Sequence, residues 1–311
     1  MQEPATAEGA PAQDSLPPSI DPPPARAAPN QQWRSAYEWG PGPESIRLED
    51  RVPPPPGFRR IELAAEGFGA WLRGLPTKPG RPRVLLHDGR RKLNQSAHHL
   101  VIDMDTGPRD LQQCADAVIR LRAECLRAAG RGDDICFRFT SGDEARWTAW
   151  REGERPVVRG NQVTWVRSAA SDSSHQSFRR YLDQVFVYAG SWSLERELRA
   201  VDDPRNAAPG DVLIRGGFPG HAVMVLDAAE HPDGRRVVLL GQSFMPAQDF
   251  HVLVNPGSRT SPWYETASRG PVQTPEWRFD WSDLARFAEQ GCPPLGAASP
   301  RGRAAGRRYL P

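Results

Sequence analysis

The sequence has no run of about 18 apolar residues, so it predicts no membrane-spanning helix. It also has little net charge, because 40 basic residues against 38 acidic ones leave a formal charge of +2. A protein that binds nucleic acid through bulk positive charge is therefore not expected. The HExxH, glycine-rich phosphate-loop and EF-hand patterns do not occur, so the sequence predicts no metal and no cofactor.

Cysteine is scarce, and its positions show neither a CxxC pair nor zinc-finger spacing. The four residues are Cys114, Cys125, Cys136 and Cys292. Cys114 and Cys125 fall on one predicted helix about 16 Å apart along its axis, which is too far for a disulfide. A disulfide framework is not expected, and a single bond such as Cys114 to Cys136 is left open.

Proline is concentrated at the start of the chain, where 14 of the 32 prolines lie within the first 57 positions. Such a segment is poor in the apolar groups that a packed core needs and favours polyproline conformations. Residues 1–56 are therefore expected to form a disordered Pro/Ala-rich linker. Residues 57–291 are expected to form a single domain and residues 292–311 a flexible tail. The linker is interpreted as a spacer, with a ligand for a proline-binding module as the alternative.

Hydrophobic periodicity predicts both helices and strands, and two of the helices precede a run of four strands. Helical spacing covers residues 109–130, 174–190 and 281–291, and strands are expected at 83–89, 211–217, 221–230, 235–244 and 249–255. An Asp-Gly pair in residues 231–234 predicts a hairpin turn between two of these strands. Helices that precede an antiparallel meander indicate the α+β class.

His221 is the best candidate for chemistry, because it opens a strand directly behind a Gly-Phe-Pro-Gly loop. An imidazole in that position is held by the sheet and reaches its rim, which suits a general base. The hairpin brings Gln242 opposite His221, where its amide oxygen would accept the Nδ1 proton and fix the tautomer. The alternative is that His221 caps the strand and Gln242 satisfies a backbone group.

Two known groups resemble the stretch around His221. PGDVLI followed by GHAVMVLD resembles the strands of the NlpC and CHAP amidases, and HAVMVLD with LLGQSF resembles papain-type cysteine peptidases. The resemblance implies a papain-like α+β fold, an antiparallel sheet packed with helices, with His221 as base and Gln242 as orienting residue. The papain order implies Cys114 as the nucleophile. An inert core cysteine is the alternative, because Cys114 lies several residues into the predicted helix and on its apolar stripe.

A longer resemblance extends from Gly57 to about residue 290. Segments such as NQSAHHLVIDMDTG, YAGSWSLEREL and QSFMPAQDFHVL are similar to the bacterial domain-of-unknown-function family 4846. Membership implies a bacterial protein, often exported, with no established reaction. The residues after Met1 lack the apolar core of a secretory signal. We therefore expect a cell-envelope protein whose leader precedes the start shown, or else a cytoplasmic one.

These observations leave three hypotheses for function. The first is a thiol hydrolase that cleaves amide bonds in a peptide or peptidoglycan-type substrate. The second is a non-catalytic binding module that kept the fold and lost the nucleophile. The third, a metal enzyme that uses His98 or His99, requires three convergent ligands that the sequence does not supply.

Overall fold

The computed structural model describes residues 31–258, 261–267, 269–289 and 291–292. Within these residues the α-helices are α1 (Leu48–Arg51), α2 (Phe68–Arg73), α3 (Cys114–Ala128), α4 (Trp147–Arg151), α5 (His175–Tyr188) and α6 (Ser191–Glu197). Short 3-10 helices cover Gln31–Ala36, Gly132–Asp134, Pro204–Asn206 and Trp281–Asp283.

The strands run along the chain in the following order: β1 (Ile46–Arg47), β2 (Arg59–Arg60), β3 (Pro76–Thr77), β4 (His98–Val101), β5 (Cys136–Arg138), β6 (Glu144–Arg146), β7 (Glu154–Arg159), β8 (Gln162–Arg167), β9 (Arg199–Ala200), β10 (Asp211–Arg215), β11 (His221–Glu230), β12 (Arg236–Gln242), β13 (His251–Leu253), β14 (Trp263–Glu265), β15 (Pro271–Gln273), β16 (Arg278–Asp280) and β17 (Leu284–Arg286). The fold is mixed α+β with antiparallel sheets, which confirms the class predicted from the sequence.

One nine-stranded sheet organises the molecule. Its strand order is β4-β13-β12-β11-β10-β17-β9, with β14 paired to β12 and β2 paired to β11. The central hairpin of β11 and β12 turns at the predicted Asp-Gly pair, where Gly234 adopts a φ of 89°. That left-handed conformation is available to glycine without a steric penalty.

The two faces of β11 belong to two different apolar cores. Ala222, Met224 and Leu226 lie in the core that also contains the buried face of α3. Val223 and Val225 lie in the core on the other side of the sheet. Because successive side chains of a strand point to opposite faces, every odd-numbered residue from 221 to 225 faces away from α3.

The predicted linker boundary at residue 56 is wrong for the residues that the structure describes. Tyr37, Leu48 and Val52 are buried in the core, and Trp33 and Trp39 pack against it. These side chains supply enough apolar surface to fold the segment despite its neighbouring prolines. Residues 1–30 of the predicted linker and 293–311 of the predicted tail lie outside the described residues.

The predicted helix at 281–291 is also wrong. A 3-10 turn over Trp281–Asp283 leads instead into β17, which pairs with β10 on one side and β9 on the other. The apolar run LARF suits either structure, and pairing in the sheet decides the outcome. Residues 83–89, expected as a strand, contain only isolated bridges at Leu85 and Leu86.

A disulfide joins Cys136 in β5 to Cys292, with a Cα–Cα distance of 5.3 Å. The sequence analysis left a single disulfide open, with Cys114 to Cys136 as the example. One disulfide is present, but it joins a different pair, and Cys114 and Cys125 are free thiols. Cys292 belongs to the folded domain, so the predicted tail cannot begin there. No helix among the described residues has the length and apolar content needed to cross a membrane.

Candidate functional site

His221 and Gln242 face each other at one end of the sheet. His221 is the first residue of β11 and Gln242 the last of β12, and the antiparallel pairing brings these ends together. The Nε2 atom of His221 lies 2.8 Å from the Oε1 atom of Gln242. Both side chains are buried, with exposed fractions of 1% and 0%.

Glu276 fixes the orientation of the Gln242 amide. The Nε2 atom of Gln242 donates to the Oε2 atom of Glu276 at 2.8 Å, and a carboxylate only accepts hydrogen bonds. The amide oxygen must then face His221, so the neutral ring carries its proton on Nε2 and its lone pair on Nδ1. The sequence analysis placed this proton on Nδ1. That prediction is wrong, because Glu276 holds the Gln242 amide with its oxygen toward Nε2 of His221.

A buried lysine completes this network. The Nζ atom of Lys92 lies 2.6 Å from the Oε2 atom of Glu276, and the Nδ2 atom of Asn94 lies 3.3 Å from its Oε1 atom. Lys92 also lies over the ring of Phe244, with Nζ 5.1 Å from the centroid. Burial lowers the pKa of Lys92, while its ion pair with Glu276 opposes that shift. We call Lys92, Glu276, Gln242 and His221 the His221 network.

Aromatic rings enclose His221. The centroid of its ring lies 4.9 Å from that of Phe244, 5.3 Å from Trp277 and 5.8 Å from Phe279. Burial lowers the pKa of His221 to about 4, and the hydrogen bond to Gln242 only partly opposes this effect. The imidazole is therefore neutral near pH 7 and a weak base.

Cys114 is the first residue of α3, not a residue several positions into it. The backbone N–H of Gln113 donates to the side chain of Asp116 at 3.1 Å and thereby defines the helix start. The Cys114 thiol is 7% exposed and lies in the apolar core between α3 and the sheet. Burial, aided by the nearby Asp116 carboxylate, raises the pKa of the thiol to about 11.

The structure does not bring Cys114 to the His221 ring. Cys114 packs in the same core as Ala222 and Met224, whereas the alternation along β11 directs His221 to the opposite face, against Phe279. Within the described residues no hydrogen bond links Cys114 and His221. Of the predicted catalytic residues, His221 and Gln242 are in contact, and Cys114 lacks the contact that a nucleophile needs.

His98 and His251 lie side by side on adjacent strands, with ring centroids 6.2 Å apart. His98 Nε2 contacts the carbonyl of Pro82 and His251 Nδ1 contacts that of Asp249, at 2.9 Å each. In the part of the chain that the structure describes, the group of three potential metal ligands is Cys136, Glu144 and Cys292, and its sulfurs are joined as a disulfide. Among the described residues, neither His98 nor His99 belongs to a group of three side chains placed to bind one metal ion.

Three segments around the His221 network expose large apolar side chains. Leu93, which lies between two residues that bind Glu276, is fully exposed. Phe218, in the loop that leads into His221, is 92% exposed, and Met245, next to Phe244, is 53% exposed. We call these three side chains the apolar rim. The sequence analysis missed Lys92, Glu276 and Leu93. Lys92 and Glu276 are 184 positions apart, and no local pattern connects them. Leu93 is missed with its neighbour Lys92.

The fold and the site together define a mixed α+β protein with a buried histidine–glutamine–carboxylate network at one end of an antiparallel sheet. The family model described as a domain of unknown function (4846) matches residues 48–286, and the chain belongs to that family. No curated protein matches the chain, and no solved structure does.

Proposed function

We propose that this protein is a non-catalytic binding module that takes an extended peptide or protein segment at the apolar rim. The observation that carries the proposal is the placement of Cys114 and His221 on opposite faces of the sheet. A thiol hydrolase requires the base within hydrogen-bond reach of the sulfur. The His221 network acts here as a rigid support for the loops that carry the rim.

The protonation states favour the same interpretation. A thiol with a pKa of about 11 and an imidazole with a pKa of about 4 remain neutral around pH 7. Transfer of the thiol proton to this ring is strongly uphill, so a reactive thiolate–imidazolium pair does not form in this arrangement. Both shifts are caused mainly by burial, which also excludes a substrate from either group.

The apolar rim supplies what a binding module needs. Leu93, Phe218 and Met245 lie on three separate segments, and each segment adjoins a residue of the His221 network or its aromatic shell. Large exposed apolar groups that cluster at one place mark interaction sites. Because the supporting network is buried and its side chains are linked by hydrogen bonds, a ligand would meet a preformed surface at a small cost in ordering.

Selection from a library of random twelve-residue peptides on the full chain tests this proposal. Enriched peptides should be rich in apolar residues and should lose at least tenfold in affinity for the Phe218→Ser/Met245→Ser variant. Val157→Ser, a change at an exposed valine outside the rim, is the matched control and should bind like the wild type. Mass spectrometry should recover the bound peptide uncleaved. Enriched peptides that bind the Phe218→Ser/Met245→Ser variant as tightly as the wild type would contradict the proposal.

A thiol hydrolase acting on peptide or peptidoglycan-type amide bonds is the second candidate. It is favoured by the position of Cys114 at the first turn of a 15-residue helix, where the helix dipole stabilises a thiolate. Backbone amides of Ala222 and Ala115 also act to lower the pKa of the thiol, although burial outweighs them. This function requires a rearrangement that brings His221 and Cys114 together.

We also propose that the protein is exported. The Cys136–Cys292 disulfide supports this location, because such bonds persist in oxidising compartments and are rare in the cytoplasm. Alkylation of free thiols in intact cells, followed by mass spectrometry of the native protein, should find Cys136 and Cys292 unmodified and joined. Recovery of both as alkylated thiols would place the protein in a reducing compartment.

A further inference from the structure

A cavity of about 770 Å³ lies away from His221, between the N-terminal segment, α2 and the end of α3. Trp33, Tyr37 and Trp71 form an aromatic wall, with Tyr37 and Trp71 in contact at a centroid distance of 4.9 Å. Ala70 and Ala128 line the cavity with small side chains, which leaves room for a ligand. The volume falls in the range of sites that hold small molecules or short peptide segments.

The wall offers apolar ring faces, since the polar side-chain atoms of Tyr37 and Trp71 are already used. The Tyr37 hydroxyl donates to the Trp71 carbonyl at 2.8 Å, and Trp71 Nε1 donates to the Ala36 carbonyl at 3.1 Å. Grooves of this type, lined by aromatic rings, bind proline-rich segments in the polyproline II conformation.

Among the charged groups that line the cavity, one carboxylate has no ion-pair partner in the part of the chain that the structure describes. Arg47 pairs with Glu49 at 3.2 Å, and Arg131 pairs with Asp134 at 2.7 Å. Glu66 lines the cavity, is exposed, and makes no ion pair with any residue that the structure describes. A ligand that suits this cavity therefore combines an apolar, proline-like body with a single positive charge.

We propose that the protein's own proline-rich segment, residues 15–29, docks in this cavity with Arg26 against Glu66. The segment reads SLPPSIDPPPARAAP and ends just before Trp33, which is part of the wall. Arg26 is the only lysine or arginine within residues 1–30. Trp33 lies seven positions after Arg26. An extended chain covers up to about 24 Å over seven positions, so the segment reaches across the cavity.

The covalent connection makes even a weak contact effective. A short tether holds its ligand at an effective concentration on the order of millimolar, so a segment with an intrinsic Kd of about 0.1 mM is bound about 90% of the time. The cavity contains no residue of the His221 network in its lining, so the inference does not depend on the proposed function.

Trypsin cleavage of the Arg26–Ala27 bond in the native full chain measures this docking. The reference is the cleavage rate of a synthetic peptide of residues 15–31 under the same conditions. The full chain should be cleaved at least tenfold more slowly than the peptide. Glu66→Lys and Ala128→Trp, both changes at exposed positions, should remove the protection by repelling Arg26 or filling the cavity.

Matched controls are Glu62→Lys and Ala170→Trp, which are exposed and do not line the cavity. Both should keep the wild-type protection, and circular dichroism should show that every variant is folded. Cleavage of the full chain within twofold of the peptide rate would overturn the proposal. Protection that survives both cavity variants would also overturn it. Protection that grows with protein concentration would assign the cavity to the segment of a second copy instead.

Discussion

The Nε2 atom of His221 donates to the Oε1 atom of Gln242 across 2.8 Å, and the other end of the Gln242 amide donates to Glu276. This direction makes Gln242 an acceptor for His221 and leaves Nδ1 as the basic nitrogen. The arrangement is the orientation that a catalytic imidazole requires. In this protein the residue expected to use it, Cys114, lies in the core on the other side of the sheet.

The tautomer of His221 provides the first prediction. Long-range nitrogen–proton NMR spectra of the wild type should show the proton on Nε2. Gln242→Met keeps the side-chain volume but removes the acceptor, so it should lower the free energy of unfolding by about 2–4 kcal/mol, because a buried N–H and the Glu276 carboxylate each lose a partner. A wild-type spectrum with the proton on Nδ1 would contradict the hydrogen-bond direction.

Acid should destabilise the protein through His221. Its pKa is about 4 in the folded protein and about 6.5 when unfolded, so the unfolded chain takes up the proton first. The contribution of His221 to stability is fully present above about pH 6.5 and is lost progressively as the pH falls to 4, by about 3 kcal/mol in total. His251, whose pKa is lowered to about 3 mainly by burial, acts in the same direction.

Urea unfolding at several pH values between 7 and 4 measures this loss. Buried acids such as Asp116, whose pKa is raised by burial to about 8, contribute with the opposite sign. The comparison is therefore made between the wild type and His221→Gln, which removes one titrating group. The variant should lose less stability than the wild type over this range. Equal losses in the two proteins would show that His221 does not titrate as described.

The Cys136–Cys292 disulfide should stabilise the domain, because it links positions 156 residues apart. Cross-linking such a long loop restricts the unfolded chain, and removal of a native disulfide typically costs about 2–5 kcal/mol. Cys292→Ser should lower the urea midpoint by a corresponding amount, and dithiothreitol should do the same to the wild type. Dithiothreitol should have no further effect on the variant. A wild type that is insensitive to the reductant would contradict a stabilising role.

The sequence predicts the parts of this molecule that depend on local signals. Periodicity places α3 and α5, and an Asp-Gly turn sets the hairpin that brings His221 to Gln242, only 21 residues away. The Lys92–Glu276 pair joins residues 184 positions apart, and no local pattern reports it. Tertiary pairing also decides that residues 284–286 form a strand, although their spacing suits a helix.

The start of α3 shows how a small boundary error alters a functional interpretation. Helical spacing predicts a start at residue 109, but the side chain of Asp116 accepts from the backbone N–H of Gln113, and the helix begins at Cys114. The sequence thus misplaced Cys114 along the helix while correctly assigning it to the apolar stripe. The face of the sheet that His221 occupies follows from strand register, which the sequence leaves undetermined.

Thiol reactivity tests most directly whether the protein lacks a cysteine nucleophile. Native protein is treated with iodoacetamide at pH 6.5, and site-resolved mass spectrometry follows Cys114 against Cys125, a second buried thiol whose pKa is also raised to about 11. Both should label slowly and at similar rates, and both should label quickly in urea. His221→Gln should not slow the labelling of Cys114. The contrary result is that Cys114 labels at least tenfold faster than Cys125 and that His221→Gln abolishes this difference. It would contradict the binding-module account and establish the thiol hydrolase.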